Sequence, residues 1–176
     1  MNESYAYLWT DQEGTISAID LLEQQHREVE KLFASLEKAT RKDNKRRLFE
    51  EIADKLAIHA AIEEHHFYPT VKARRTEDIL LESLEEHLSI KRVLADLLEM
   101  DADDEKFDAK TKVLQEQVEH HVGEEENDLF PKVKKLLNGT ELDALEQEMV
   151  AEQQQLEEAG EPRAAISQQT GEAAPL

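Results

Sequence analysis

Apolar residues recur along most of this chain at alternating intervals of three and four, the spacing that lines one face of a helix. The first stripe runs Ile19, Leu22, His26, Val29, Phe33 and Leu36, with Thr15 or Ser17 suited to cap it. A second runs Phe49, Ile52, Leu56, His59, Glu63 and Phe67, entered through a turn at 41–44 where Asp43 or Asn44 suits the cap. The third runs Leu80, Leu84, His87, Lys91, Leu94 and Leu98, opened by Thr76 with Glu77 and Asp78 in its first turn. After an acidic run at 101–105 comes the fourth: Leu114, Val118, His121, Glu125, Leu129, Val133 and Leu136, stopped by Asn138-Gly139. Glycine and proline are scarce inside these stretches. The pattern therefore predicts an all-α fold, an antiparallel up-down four-helix bundle with short loops.

A weaker stripe, Leu142, Leu145, Met149 and Leu156, predicts a short C-terminal helix, opened by Thr140 with Asp143 three residues on. Beyond it the composition turns to Ala, Gln, Glu, Gly and Pro, and a disordered tail is expected over residues 158–176. Residues 1–14 lack periodicity and are expected to form an arm, leaving 15–157 as the bundle plus its extra helix.

Stripes two and four repeat each other. His59 and Glu63 stand four residues apart, as do His121 and Glu125, so each pair shares a helix face one turn apart. Pro69 follows ten residues after His59, and Pro131 ten residues after His121. Phe67-Tyr68-Pro69 is matched by Leu129-Phe130-Pro131. Such an internal repeat predicts two helices making equivalent contributions to one site. Each proline is expected to kink or weaken its helix late.

Charge narrows the partners. The net charge of −20 over 176 residues repels phosphate backbones and anionic membranes. Neither nucleic acid nor membrane is an expected partner. No apolar run is long enough to span a bilayer and no signal peptide is evident, so a cytoplasmic location is expected. Cysteine is absent, so any metal would be held by nitrogen and oxygen. Zincin, phosphate-loop and nucleophile-elbow motifs are also missing, which leaves hydrolase and nucleotide chemistry without support.

What the seams carry is unusual. His26, His59, His87 and His121 each occupy an apolar stripe, joined by Glu63 and Glu125. One histidine alone on such a face is more often a satisfied core residue. Burying six ionisable groups together costs several kcal/mol each unless they pair or ligate metal. Imidazole and carboxylate without thiolate suit iron or manganese, and also zinc. The set exceeds the needs of one tetrahedral zinc and suits two octahedral ions bridged by the carboxylates. Among the other histidines, His65 and His120 point off the seam. His66 returns to it seven residues after His59, and Glu63-x-x-His66 matches a ferritin-like spacing with Asp128 at the corresponding place on the fourth helix. A role supporting a ligand is expected for His66, and a packing role for Tyr68.

A lone His26, then His59-x-x-x-Glu63, then Glu86-His87, then His121-x-x-x-Glu125 resembles the hemerythrin-like HHE cation-binding domains over about residues 15–150. The resemblance implies a non-heme di-iron site: two iron ions, oxo- or hydroxo-bridged, held by His26, His59, Glu63, His87, His121 and Glu125. It implies binding of, or reaction with, oxygen, peroxide or nitric oxide, in sensing or in a catalase-like or reductive activity. The alternatives are iron storage or donation, and cargo of a protein nanocompartment shell recognised through the C-terminal tail. In one respect the chain departs from the family's oxygen carriers. They place a further histidine one turn after the third-helix histidine, where this chain has Lys91, so an open metal position is expected there.

Overall fold

The computed structural model describes residues 16–73 and 75–176. The expected arm at 1–14 lies outside the described residues. Helices α1 (Ala18–Lys38), α2 (Lys42–Ile62), α4 (Glu77–Glu99) and α5 (Phe107–Glu124) form the antiparallel bundle. α2 continues through a π-helical turn, Glu63–Phe67, into the short helix α3 (Tyr68–Val71). In the same way α5 continues through a π turn, Glu125–Leu129, into α6 (Phe130–Val133). α7 (Gly139–Ala159) packs across α1, α2 and the first π turn. Among the described residues there is no strand.

Local chemistry sets the helix starts. Ser17 caps α1 through a reciprocal pair: its hydroxyl accepts from the Asp20 N–H, and the Asp20 carboxylate accepts from the Ser17 N–H at 3.0 Å. Three expected caps differ. α2 starts at Lys42 with no side-chain cap, and Asp43 lies in its first turn, where it faces the positive end of the helix dipole. Thr76 makes no cap bond. Its hydroxyl instead donates to the Val71 carbonyl at 2.8 Å and accepts the Ala73 N–H at 2.9 Å, closing the loop before α4. Thr140, expected with Asp143 to open α7, lies inside it; the N-cap is Asn138, expected as a stop, in a reciprocal pair with Glu141.

The two π turns follow from the prolines. Pro69 and Pro131 have no N–H to donate, and their rings crowd the carbonyl four residues back. The chain takes up one extra residue instead, so that the Tyr68 N–H reaches Glu63 O and the Phe130 N–H reaches Glu125 O. Both glutamates thus begin a widened turn.

The core is divided by the polar seam. One apolar cluster, with Ile19, Leu22, Ile62, Phe67, Leu84 and Leu129, is covered by α7 through Leu145 and Met149. The other, with Val29, Phe33, Phe49, Ile52, Leu94, Phe107 and Val118, fills the opposite end. His26, His59, His87 and His121 form the layer between them.

The tail differs from expectation. Gly160 and Glu161 both take positive φ, which turns the chain back after α7. Pro162–Gln169 is a 3-10 segment lying against α2 and α4. Ile166 is buried in the second cluster, and Arg163 donates to Asp54 from both its backbone N–H (3.0 Å) and its guanidinium (2.6 Å). The 3-10 segment needs little apolar content because one isoleucine and one arginine anchor it to the bundle.

Candidate metal centre

Each bundle helix brings one histidine into the middle layer, and all four are almost fully buried, as are Glu63 and Glu125. The structure gathers all six sequence-predicted residues. Two donor groups are close enough to surround metal ions: His26, His59, Glu63 and Glu125, and next to them Glu63, His87 and His121. The Nε2 atoms of His26 and His59 are 3.3 Å apart, and those of His87 and His121 are 3.1 Å apart. Glu63 Oε2 lies between the pairs, 3.3 Å from His59 Nε2 and 3.2 Å from His87 Nε2. Glu125 Oε2 does the same, 3.3 Å from His26 Nε2 and 3.7 Å from His121 Nε2. Donors at right angles around one ion, each about 2.1 Å from it, lie about 3 Å apart. The observed spacings match that requirement.

The outer ring nitrogens decide which way the inner ones face. His26 Nδ1 donates to Glu126 (2.8 Å), His87 Nδ1 to Glu64 (2.9 Å), His121 Nδ1 to Glu86 (2.7 Å) and His59 Nδ1 to the Gln25 amide oxygen (2.7 Å). With Nδ1 protonated in every ring, a neutral histidine turns a bare Nε2 lone pair inward. Two such lone pairs about 3 Å apart repel unless a proton or a cation lies between them. Glu63 Oε1 and Glu125 Oε2 are also buried without a hydrogen-bond partner. These orphaned acceptors, a nitrogen–oxygen donor set and the paired lone pairs all fit a bound cation.

Electrostatics repeat the point. Burial, then the neighbouring Glu125, raises the Glu63 pKa well above the ordinary carboxylate value. Burial pulls Glu125 the same way, but the imidazoles of His121, His26 and His59 outweigh it and hold that carboxyl far below. Burial depresses His26, yet Glu125, Glu63 and Glu126 overcome this and raise it. Burial, with His26 next, holds His59 well below its usual value. A metal-free centre thus retains protons that a cation would displace.

Several residues that sequence reasoning did not assign to the site are there. The Tyr68 hydroxyl donates to Glu125 Oε1 at 2.8 Å and lies 3.3 Å from Glu63 Oε2 and 3.4 Å from His87 Nε2. Expected only to pack, it reaches the centre because the π turn stacks residue 68 on residue 63. Burial and the two carboxylates push its pKa well up, which keeps the phenol protonated. Gln25, Glu64, Glu86 and Glu126 are the acceptors named above. The internal repeat held their signal: Gln25 and Glu86 each precede a lone seam histidine, and Glu64 and Glu126 each follow a seam glutamate.

The remaining histidines lie outside. The π turn shifts the helix register, so His66 leaves the seam and its Nε2 meets Glu152 of α7 at 2.7 Å. His65 meets the same carboxylate at 2.7 Å. Asp128 pairs with Lys132 on the surface, so no second ferritin-like pair forms. His120 is exposed beside Glu86 and Glu124. Lys91 is buried, and its ammonium is bound by Glu64 at 2.7 and 2.9 Å. Burial opposes the ionisation of Glu64, but His87 and Lys91 outweigh it and lower its pKa.

The hemerythrin HHE cation-binding domain family matches residues 17–133, more than half of the chain. Among solved structures, the chain is similar to a hemerythrin HHE cation-binding domain-containing protein from Mycobacterium kansasii, at 23% identity with a TM-score of 0.75. That likeness covers 88% of this chain and 99% of the other. No curated protein matches. Among the described residues no helix is long and apolar enough to cross a membrane. By its matched sequence, its helical fold and its buried histidine–glutamate layer, the chain belongs to the hemerythrin HHE cation-binding domain family.

Proposed function

We propose that this chain is a di-iron protein that binds, and reacts with, a small molecule of the class of dioxygen, peroxide or nitric oxide. The observation that carries the reading is the paired geometry: two histidine pairs joined by Glu63 Oε2 on one side and Glu125 Oε2 on the other. His26 and His59 would hold one ion and His87 and His121 the other, with both carboxylates shared. A nitrogen–oxygen set with no sulfur suits iron or manganese among redox metals, and the family likeness favours iron. Bound iron supplies electrons and exchangeable coordination positions to such a molecule.

The chain's own residues set the conditions. Four Nδ1–H bonds fix the imidazoles, so that the donor atoms need no rearrangement when a cation arrives. Glu63 and Glu125 place two negative charges where the cations sit. Ile90, Leu94, Val118 and Val122 wall a small, mostly apolar pocket against the four histidines. Tyr68 Oη holds a proton 2.8 Å from Glu125, within reach of a molecule bound at the centre. At the equivalent place in the other half Phe130 stacks on His26 and offers no proton. Lys91 is bound by Glu64 and so leaves the position one turn after His87 without an imidazole.

The test is anaerobic loading with ferrous iron, elemental analysis, and stopped-flow spectra after mixing with dioxygen, hydrogen peroxide or nitric oxide. Two irons per chain and a fast spectral change with one of the three are expected. A chain that takes up one zinc and no iron, or iron inert to all three, overturns the reading.

A further inference from the structure

We propose that the C-terminal strap, residues 161–171, sets the size limit of the molecule that reaches the centre, with Ile166 as the limiting side chain. The inference rests on the reading above that a small molecule must reach the metals. The pocket beside the four histidines is walled by α1, α2, α4 and α5 on the inside, and Ile166 from the strap completes the wall. α2 and α4 touch each other little, and the strap lies against both. It therefore covers the seam between those two helices, and Ile166 fills that seam with almost no exposure.

The strap is pinned on both sides of this plug. Three residues before Ile166, Arg163 is bound to Asp54 of α2 by two hydrogen bonds. Four and five residues after it, the Thr170 and Gly171 carbonyls accept from the Arg92 guanidinium of α4 at 2.9 and 3.1 Å. A tail that merely rested on the surface would need no such pair of anchors flanking one buried apolar residue. The free space behind Ile166, about 30 Å³, suits a molecule the size of about one or two waters. Dioxygen, hydrogen peroxide and nitric oxide are of that size. An alkyl hydroperoxide or a ring-bearing ligand is not.

The filter is tested through ligand access rather than turnover. The full chain loaded with cobalt(II) is titrated with azide and with 4-phenylimidazole, and the visible spectrum reads binding at the metal. The native protein is expected to bind azide and to exclude phenylimidazole. Ile166→Ala should admit phenylimidazole with an affinity gain of about tenfold or more, and Ile166→Val a smaller gain. Arg92→Ala, which frees one end of the strap and leaves the pocket walls intact, should admit it as well. Thermal melting identifies any variant that has lost its fold, and Ile166→Val and Arg92→Ala guard against that case. Native protein that binds phenylimidazole as well as the variants do overturns the filter. So does a folded set of variants that all exclude it. Iron-loaded protein inert to oxygen, peroxide and nitric oxide, yet with this probe discrimination intact in the cobalt form, leaves the filter standing and removes only the functional reading.

Discussion

Replacing Tyr68 with phenylalanine removes one oxygen atom from the centre and nothing else. The hydroxyl is wholly buried and donates to Glu125 Oε1 at 2.8 Å. The ring itself is tolerated in this setting, because Phe130 occupies the equivalent place beside His26 with its ring centroid 6.0 Å away. What is lost is a hydrogen bond to a buried carboxylate, and such bonds contribute about 1.5–3 kcal/mol. For a chain of this length, each kcal/mol moves the melting midpoint by about 2–4 °C. The metal-free Tyr68→Phe protein should therefore melt roughly 3–12 °C below the metal-free native protein. With metal bound, cations hold Glu125 and the phenol matters less, so the deficit should shrink. The reaction of the iron form with peroxide should slow by about a hundredfold or more, the usual range for losing a placed proton donor. Calorimetry on both proteins, metal-free and loaded, together with stopped-flow mixing, measures all three quantities. A metal-free variant as stable as the native protein, or a deficit that is no smaller after loading, would refute the role assigned to Tyr68.

Metal loading at neutral pH should release about one to two protons per chain, because His26 and Glu63 hold protons above their ordinary pKa values. Calorimetric titrations in buffers of different ionisation enthalpy measure the count, and a count of zero would contradict the metal-free charge state. Above pH 6.5 the metal-free protein should lose stability as pH rises through the raised His26 pKa, since that stabilisation exists only while the folded imidazole keeps its proton; melting curves from pH 6.5 upward check it, and a rising midpoint would contradict it. Lys91→Ala leaves the buried Glu64 carboxylate without its ammonium and should cost about 3 kcal/mol or more, read by denaturant unfolding. Gln25→Glu gives His59 a carboxylate acceptor like that of His121 and should narrow the gap between the two stepwise metal affinities, read by titration with a competing chelator.

The bundle and the inward placement of its four histidines and two glutamates were legible because both rest on the 3.6-residue period, and a histidine in an apolar stripe stands out against it. The π turns were not. A hydrophobic stripe carries no mark of one added residue, and Pro69 and Pro131 read equally well as kinks. That single residue explains two misplacements at once: His66 left the seam and Tyr68 entered the centre. Asn138 was ambiguous in kind, since asparagine before glycine suits either a helix stop or an N-cap; Glu141, three residues on, decides for the cap. The strap was hidden for another reason. Its anchors, Asp54 and Arg92, lie far away in sequence, and low local apolar content cannot report a partner so distant.

The repeat that builds the centre also shows where its halves part. Helix pairs α1–α2 and α4–α5 supply the same donors from the same positions, so an unbroken repeat would make two equal metal positions. The departures collect on one side. His87 has Tyr68 against its ring at 5.5 Å and Lys91 one turn along, and its partner His121 donates to a carboxylate. On the other side His26 has Phe130, and its partner His59 donates to a neutral amide. An anionic acceptor makes an imidazole a stronger donor than an amide does. Donor number runs the other way, since four donors gather around His26 and His59 and three around His87 and His121; the phenol proton lies on the His87 side. A symmetric pair of positions would give an incoming molecule no preferred orientation. With metal in both positions, as proposed, this pair would give it one, with the Tyr68 hydroxyl beside His87.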